Sequence, residues 1–351
     1  MSEKSNNMKL ISIVTACFNE EENVEEIYAQ VKAVMTAFPQ YRYEHIFIDN
    51  SSTDSTVAIL KKLAAADRNL KIIVNTRNFG QVKSPFYAMV QAKGDAVITI
   101  VADLQDPPEL IAEFIRQWES GYKIVIGVKK QSEESGIVFS LRCMYYNLLT
   151  RLSDIELVKN FTGFGLYDRD VMDVLRSIED PNPFPRGLIC DIGYERGVVE
   201  YKQPQRKRGI TKNNFYTLYD IGMLGITNHS KIPLRLATMS GFALGVLSLL
   251  VAVIYLVYKL IFWNRFQAGA APIVIGLFFF SSVQLFFIGV LGEYIGAIYS
   301  QVLKRPLVVE KERVNFDASS SENPFHPHLG QEDSLTRPGS GFGEGVTFSK
   351  S

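Results

Sequence analysis

The chain reads as an α/β protein with a mostly parallel sheet, followed by two apolar helices that pair as a membrane hairpin. Two observations predict this. Apolar runs of strand length alternate with helical segments from Leu10 to Val128, the pattern of a sheet covered on both faces. Leu236 to Tyr258 and Gln267 to Gly292 then carry no charge, and each is long enough to cross a bilayer core.

The elements follow in order. Residues 1–9 form a polar tail, and the apolar run after it is too short and interrupted for a signal peptide. "LISIVTAC" (10–17) is a buried strand. "EENVEEIYAQVKAVMTAF" (21–38) has helical spacing, with Val24, Ile27, Val31, Val34 and Met35 on one side. "YEHIFID" (43–49) is a strand, and 52–67 is a helix with hydroxyl and acidic caps at its start. "LKIIVN" (70–75), "AVITIVA" (96–102) and "YKIVIGV" (122–128) are further strands. Val138, Leu141, Tyr145, Leu148 and Leu152 recur at helical spacing, as do Phe215, Leu218, Tyr219 and Ile226 within 213–229. Both stripes suit either core packing or the membrane interface, and the second abuts the first span. The organisation expected is a sheet domain over 10–212, an amphipathic helix over 213–230, spans over 231–262 and 268–303, a cytosolic extension over 304–316 and a disordered tail over 317–351.

Lys231 and Arg235 flank the hairpin's entry and Lys304, Arg305, Lys311 and Arg313 its exit, whereas the connector holds only Lys259 and Arg265. The excess of positive charge places both termini and the sheet domain in the cytosol. Lys+Arg and Asp+Glu are both 37, so no global charge favours nucleic acid. Cys17, Cys143 and Cys190 are scattered, which argues against a disulfide framework or a zinc site and suits a reducing cytosol. His45 sits mid-strand as a core residue, His229 abuts the first span and lies in the interface, and His326 and His328 lack metal-ligand company.

Ligands of such sheets bind beyond the C-terminal strand ends, where chain order switches. Asn19 and Glu20 follow the first strand, Asp49, Asn50 and Ser51 end the second, and Asp103 and Gln105 follow the fourth. A carboxylate there can hold a ribose hydroxyl. A carboxylate with an amide oxygen can hold Mg²⁺ or Mn²⁺. The alternative for Asp103 is a helix cap before Pro107 and Pro108. No Gly-rich phosphate loop of either common type is present, which argues against a P-loop NTPase or a standard dinucleotide site. "KQPQRKRGITK" supplies Lys202, Arg206, Lys207, Arg208 and Lys212. They suit a phosphate monoester or an anionic lipid surface.

"SIVTACFNEEENV", "IFIDNSSTDST", "RNFGQ" and "VADLQDPPE" resemble the successive motifs of family-2 glycosyltransferases of the GT-A fold, in particular the dolichol-phosphate mannose synthase group. "NPFPRGLICDIGYERGVVEYKQPQRKRGITKNNF", the two apolar stretches and "GVLGEYIG" resemble bacterial bactoprenol glucosyltransferases of the GtrB type. The resemblance covers about residues 10–312. It implies an inverting hexosyltransferase of a bacterial inner membrane that moves glucose from UDP-glucose to a polyprenyl phosphate with Mg²⁺ or Mn²⁺. By the same resemblance Ala16, Phe18, Glu20, Asp49, Asn78 and Asp103 contact the nucleotide sugar, with Asp103 catalytic. Asp103 and Gln105 hold the metal, and Arg206, Arg208 and Lys212 bind the acceptor phosphate. Val101 stands where the family's metal motif carries its first acid, Ala16 where its first motif carries proline, and Gly163 where relatives often carry Asp. GDP-mannose or UDP-GlcNAc as donor, or a catalytically silent nucleotide-sugar sensor, are the alternatives. A processive polymer synthase is disfavoured, since it needs more spans and no Gln-x-x-Arg-Trp motif is present. Gly241, Gly245, Gly289, Gly292 and Gly296 along the apolar stretches favour a homo-oligomer.

Overall fold

Four parallel strands build the half of the sheet on which the site depends. In a computed structural model of the chain, residues 8–130, 158, 160–204, 223, 232–262, 270–303 and 305–316 are described. β1 (Leu10–Cys17), β2 (Arg42–Asp49), β3 (Leu70–Asn75) and β4 (Ala96–Val101) alternate with α1 (Val24–Thr36), α2 (Thr56–Ala66) and α3 (Gly80–Gln91). β1 pairs in parallel with β2 on one side and β4 on the other, and β2 pairs in parallel with β3. Chain order therefore switches at β1.

The second half follows a short 3₁₀ turn (Pro108–Leu110) and α4 (Ile111–Glu119). It comprises β5 (Ile124–Lys129), β6 (Phe161–Asp168), α5 (Arg169–Ser177), α6 (Pro185–Asp191) and β7 (Arg196–Tyr201). β6 runs antiparallel between β4 and β5, and β7 pairs in parallel with β5. α7 (Ile232–Ile261) and α8 (Ala270–Val302) come next, then β8 (Glu310–Val314), antiparallel on β3. Among the described residues the sheet has eight strands in the order β7-β5-β6-β4-β1-β2-β3-β8.

The apolar runs explain the core. Ile11, Ile13, Phe47, Ile72 and Ile98 are fully buried in the sheet, as expected of strands covered on both faces. Val24, Ile27, Val31 and Met35 present α1's stripe to the core, and Ile111, Phe114, Ile115 and Trp118 do so for α4. His45 is buried in β2.

Some expectations change. The helix expected from residue 52 begins at Thr56, and no side chain caps it at Ser55. Its hydroxyls and acids instead tie loops together: Ser52 accepts the Asn19 N–H at 2.8 Å and Asp54 the Glu21 N–H at 3.3 Å. The 304–316 extension contains β8, which covers the edge of β3. Its charged sequence, "EKERV", suits an edge strand that must not recruit another chain. Asn315 fastens its end by donating to Ala64 O and Leu70 O, each at 2.8 Å.

α7 has 30 residues and α8 has 33. Within α8, Gly276–Val302 is long and apolar enough to cross a membrane, with mean hydropathy 1.6. In α7, Ile232–Ser248 forms a shorter apolar stretch by the same test. Phe242 is 75% exposed, an arrangement suited to an apolar surrounding. The stripe at 138–152, the stripe residues Phe215, Leu218, Tyr219 and Ile226, and the tail over 317–351 lie outside the described residues.

Candidate active site

The strand ends meet at the switch point. Cys17, the last residue of β1, is in register with Asp49, the last of β2. On the other side Ala16 is in register with Val101, the last of β4. The Asn50 N–H donates to Cys17 O at 3.0 Å and the Ala102 N–H to Ala16 O at 3.3 Å. Asp49, Ala16 and the loop holding Asp103 thus share one edge, as the strand-end rule requires.

Asp49 is 0% exposed. The Ser52 N–H donates to it at 2.9 Å, and the Ser52 hydroxyl donates to its second oxygen. Burial pushes its carboxyl above the usual carboxylate range, against the pull of those donors. The neighbouring Cys17 thiol is pushed up first by burial and then by the Asp49 charge. It stays protonated at neutral pH and is no nucleophile.

The loop after β1 is fixed by its own polar groups. Asn19 and Ser51 both adopt left-handed backbone, with φ 55 and 66°. The Asn19 side-chain oxygen accepts the Thr53 N–H at 2.8 Å, and the Glu20 N–H donates to Thr56 Oγ1 at 2.9 Å. The Glu20 carboxylate accepts from Asn23 Nδ2 at 2.6 Å. Ala16, Phe18 and Glu20 are half-buried along this rim.

Asn78 is reached through a relay of amides that sequence reasoning missed. The Asn50 oxygen accepts from Asn75 Nδ2 at 3.1 Å and from the Phe79 N–H at 2.9 Å. Asn50 Nδ2 donates to Asn78 Oδ1 at 2.9 Å, and the same Asn78 oxygen accepts the Gly80 N–H at 2.8 Å. The exposed 76–78 segment is thereby held against the end of β2.

The loop after β4 answers why a buried strand ends on an acid, an amide and a second acid. Ala102, Leu104 and Asp106 are buried, whereas Asp103 and Gln105 between them are half-buried. Leu104 takes left-handed backbone, φ 58°, as it turns into the core. Asp103 accepts the Gln105 N–H at 3.1 Å. It caps that turn rather than a helix, because the 3₁₀ turn starts only at Pro108, behind Pro107. Asp106 faces the opposite way and accepts from the Tyr201 hydroxyl.

The donor set bears on a metal. Among the described residues no group of three or more His, Cys, Asp or Glu could hold one. Val101 is apolar and 42% exposed, and its side chain offers no oxygen. What remains is the Asp103 carboxylate and the Gln105 amide. That pair fits Mg²⁺ or Mn²⁺, which often take one or two carboxylates and complete their shell with water and substrate phosphate. Arg206, Arg208 and Lys212 lie outside the described residues.

Residues 12–175 match the model of glycosyl transferase family 2. The chain is 37% identical over 299 residues to the uncharacterized glycosyltransferase YkcC of Bacillus subtilis, covering 85% of this chain and 92% of that one. It is 34% identical over 303 residues to the prophage-derived bactoprenol glucosyl transferase of Shigella flexneri, covering 86% and 97%. A solved structure of glucosyl-3-phosphoglycerate synthase from Mycobacterium tuberculosis, with Mn²⁺, UDP and phosphoglyceric acid, is 18% identical; it covers 62% of this chain and 76% of that chain, with TM-score 0.41.

Proposed function

The chain belongs to glycosyl transferase family 2, and from that premise we propose that it transfers glucose from UDP-glucose to a polyprenyl phosphate at the cytosolic face of a membrane. The observation that carries this reading is the shared edge of β1, β2 and β4, where Asp49 and the Asp103–Gln105 loop flank one strand end. Glucose and the lipid class come from relatives named bactoprenol glucosyl transferase. UDP and the GT-A form of the fold are what the family resemblance implies.

In this reading Asp49 receives the nucleoside, and the rim of Ala16, Phe18 and Glu20 surrounds it. Asn78, held by Asn50, closes the side toward β3. Asp103 and Gln105 would hold the divalent ion. When bound, such an ion supplies Lewis-acid stabilisation of the pyrophosphate leaving group. A lipid phosphate has its second pKa near 6 and is largely dianionic at neutral pH. Its oxygen attacks the anomeric carbon as the bond to UDP breaks, and the electron pair leaves with UDP. This single displacement inverts the anomeric centre and needs no strong general base. Arg206, Arg208 and Lys212 would attract and orient the dianion.

The fold supports two spans. The chain leaves the sheet after β7 and rejoins it at β8, which pairs with β3. A chain that starts and ends in one sheet crosses a bilayer an even number of times. If α8 spans, α7 spans as well, and both flanks face the same side. A cysteine at Asn264 is then labelled from outside the cytosol, and one at Ser320 only after permeabilisation; the reverse pattern contradicts this topology.

The reaction is tested by giving the purified protein UDP-glucose, GDP-mannose and UDP-GlcNAc separately with a polyprenyl phosphate. Glucosyl lipid of inverted configuration is the expected product. Transfer from GDP-mannose or UDP-GlcNAc alone refutes glucose as the sugar.

A further inference from the structure

The mechanism above leaves Asp106 unused, although it lies three residues beyond Asp103 in the same loop. Its side chain is turned inward and is 3% exposed. A buried carboxylate needs partners, because burial without them is costly. Its partner is the hydroxyl of Tyr201, itself 6% exposed.

Tyr201 occupies a particular place in the chain. It is the last residue of β7, and the basic run that supplies Arg206, Arg208 and Lys212 departs from it. It lies in register with Lys129 at the end of β5, and its carbonyl accepts the Lys130 N–H at 2.9 Å. Its ring packs edge-on against Phe164 at 5.8 Å, and Phe164 meets Phe114 at 4.7 Å. Gly127 makes room for it: a Cβ there would stand 3.0 Å from Phe164 and 3.2 Å from the Tyr201 ring. Backbone and ring therefore aim the hydroxyl, which reaches across the sheet to a loop 95 residues away in sequence.

We propose that Asp106 and Tyr201 are positioning residues that tie the departure point of the basic run to the loop presenting Asp103 and Gln105. The pair sets where the lipid phosphate meets the donor. It rests on the acceptor assignment made above. Both act as positioning residues, Asp106 through its loop and Tyr201 through the end of β7.

The experiment measures KM for UDP-glucose, KM for a short-chain polyprenyl phosphate, and the melting temperature. Tyr201→Phe keeps the ring and removes the hydroxyl. It should raise acceptor KM about tenfold, the scale of one lost hydrogen bond, and leave donor KM nearly unchanged. It also leaves Asp106 buried without its donor, so the protein should melt lower. Asp106→Asn retains an acceptor for the hydroxyl and should keep the acceptor KM near that of the wild type. The double variant Tyr201→Phe, Asp106→Leu replaces both partners by apolar groups, which restores stability. Its melting temperature should recover while its acceptor KM stays high. If acceptor KM recovers with stability, the pair is structural only and the proposal is overturned. The same holds if donor and acceptor KM rise together. A wild-type enzyme that releases UDP with no dependence on polyprenyl phosphate refutes the acceptor assignment, and the tether with it. Lipid-dependent wild-type turnover with no split between the two KM values refutes the tether alone.

Discussion

The two ends of the sheet bury carboxylates in opposite ways. Near the start of β2, Glu44 accepts from the Ser12 hydroxyl, from Lys71 Nζ at 2.6 Å and from the Lys93 N–H at 3.2 Å. Ser12 in turn accepts the Gly94 N–H at 2.9 Å. An acid, a base and the backbone close on one another. At the far end of the same strand Asp49 is more deeply buried, yet it is held by the neutral donors of Ser52. Lys71 forms an ion pair with Glu44. Burial at Asp49 acts against ionisation. In the proposed function the difference separates a carboxylate that holds strands from one that would meet the nucleoside at a cost in stability.

Mutations that remove one charge at each end can break this comparison. The largest effect is expected at the ligand end. Asp103→Asn should keep the fold and lose roughly 10²–10³ in turnover, the scale for removing one charge-stabilising group. Chelation should act in the same direction. Full turnover by the mutant in the presence of chelator removes the metal role from this loop.

The next effect sharpens the contrast directly. Asp49→Asn should weaken nucleotide binding about ten- to a hundredfold, the loss of a charged hydrogen bond, with a melting temperature equal to or above the wild type. The stability half follows from the raised pKa: the folded state holds the Asp49 proton more tightly than the unfolded chain, so ionisation at neutral pH is unfavourable to folding. Glu44→Gln should do the opposite, costing about 1–3 kcal/mol of stability while nucleotide affinity stays unchanged. Equal effects of the two changes on both measurements would erase the distinction.

These residues also show how far the sequence could be read. β1 to β4 were legible because short, predominantly apolar runs mark strands buried on both faces. The strand-end rule then brought Asp49 and Asp103 to one edge. β6 was not read as a strand. "FTGFGLYD" carries two glycines, which weaken a strand signal. Its Gly165 is needed because a Cβ there would stand 2.5 Å from Val125 O. β8 was missed because "EKERV" is charged and its partner strand lies far back in the chain. Asn50 was legible as an edge residue, but its link to Asn75 and Asn78 depends on side-chain directions that no periodicity encodes. The Asp106–Tyr201 pair was beyond reach for the same reason. The alternation of inward and outward residues from Ala102 to Asp106 shows only in their burial.

A smaller effect is expected from the middle of β2. His45 Nε2 lies 2.8 Å from Thr15 Oγ1, and among the described residues its Nδ1 has no partner. Burial lowers its pKa from 6.5 to about 3, with Asp67 pulling weakly the other way. As pH falls below 6.5 the unfolded chain takes up a proton that the folded ring refuses. The stability is whole above that pH and is lost on the way down to about 3. The loss should reach about 2 kcal/mol by pH 5. His45→Gln should flatten that part of the unfolding profile. An unchanged profile would mean that His45 takes up its proton in the folded state.

The most direct test follows labelled glucose from UDP-glucose into the lipid fraction, with purified wild type and Asp103→Asn, with and without polyprenyl phosphate. The expected result is labelled lipid from the wild type only when polyprenyl phosphate is present, matched by release of UDP and reduced in Asp103→Asn by roughly 10²–10³. Labelled lipid formed equally well by Asp103→Asn, or UDP released without any lipid product, would contradict the account.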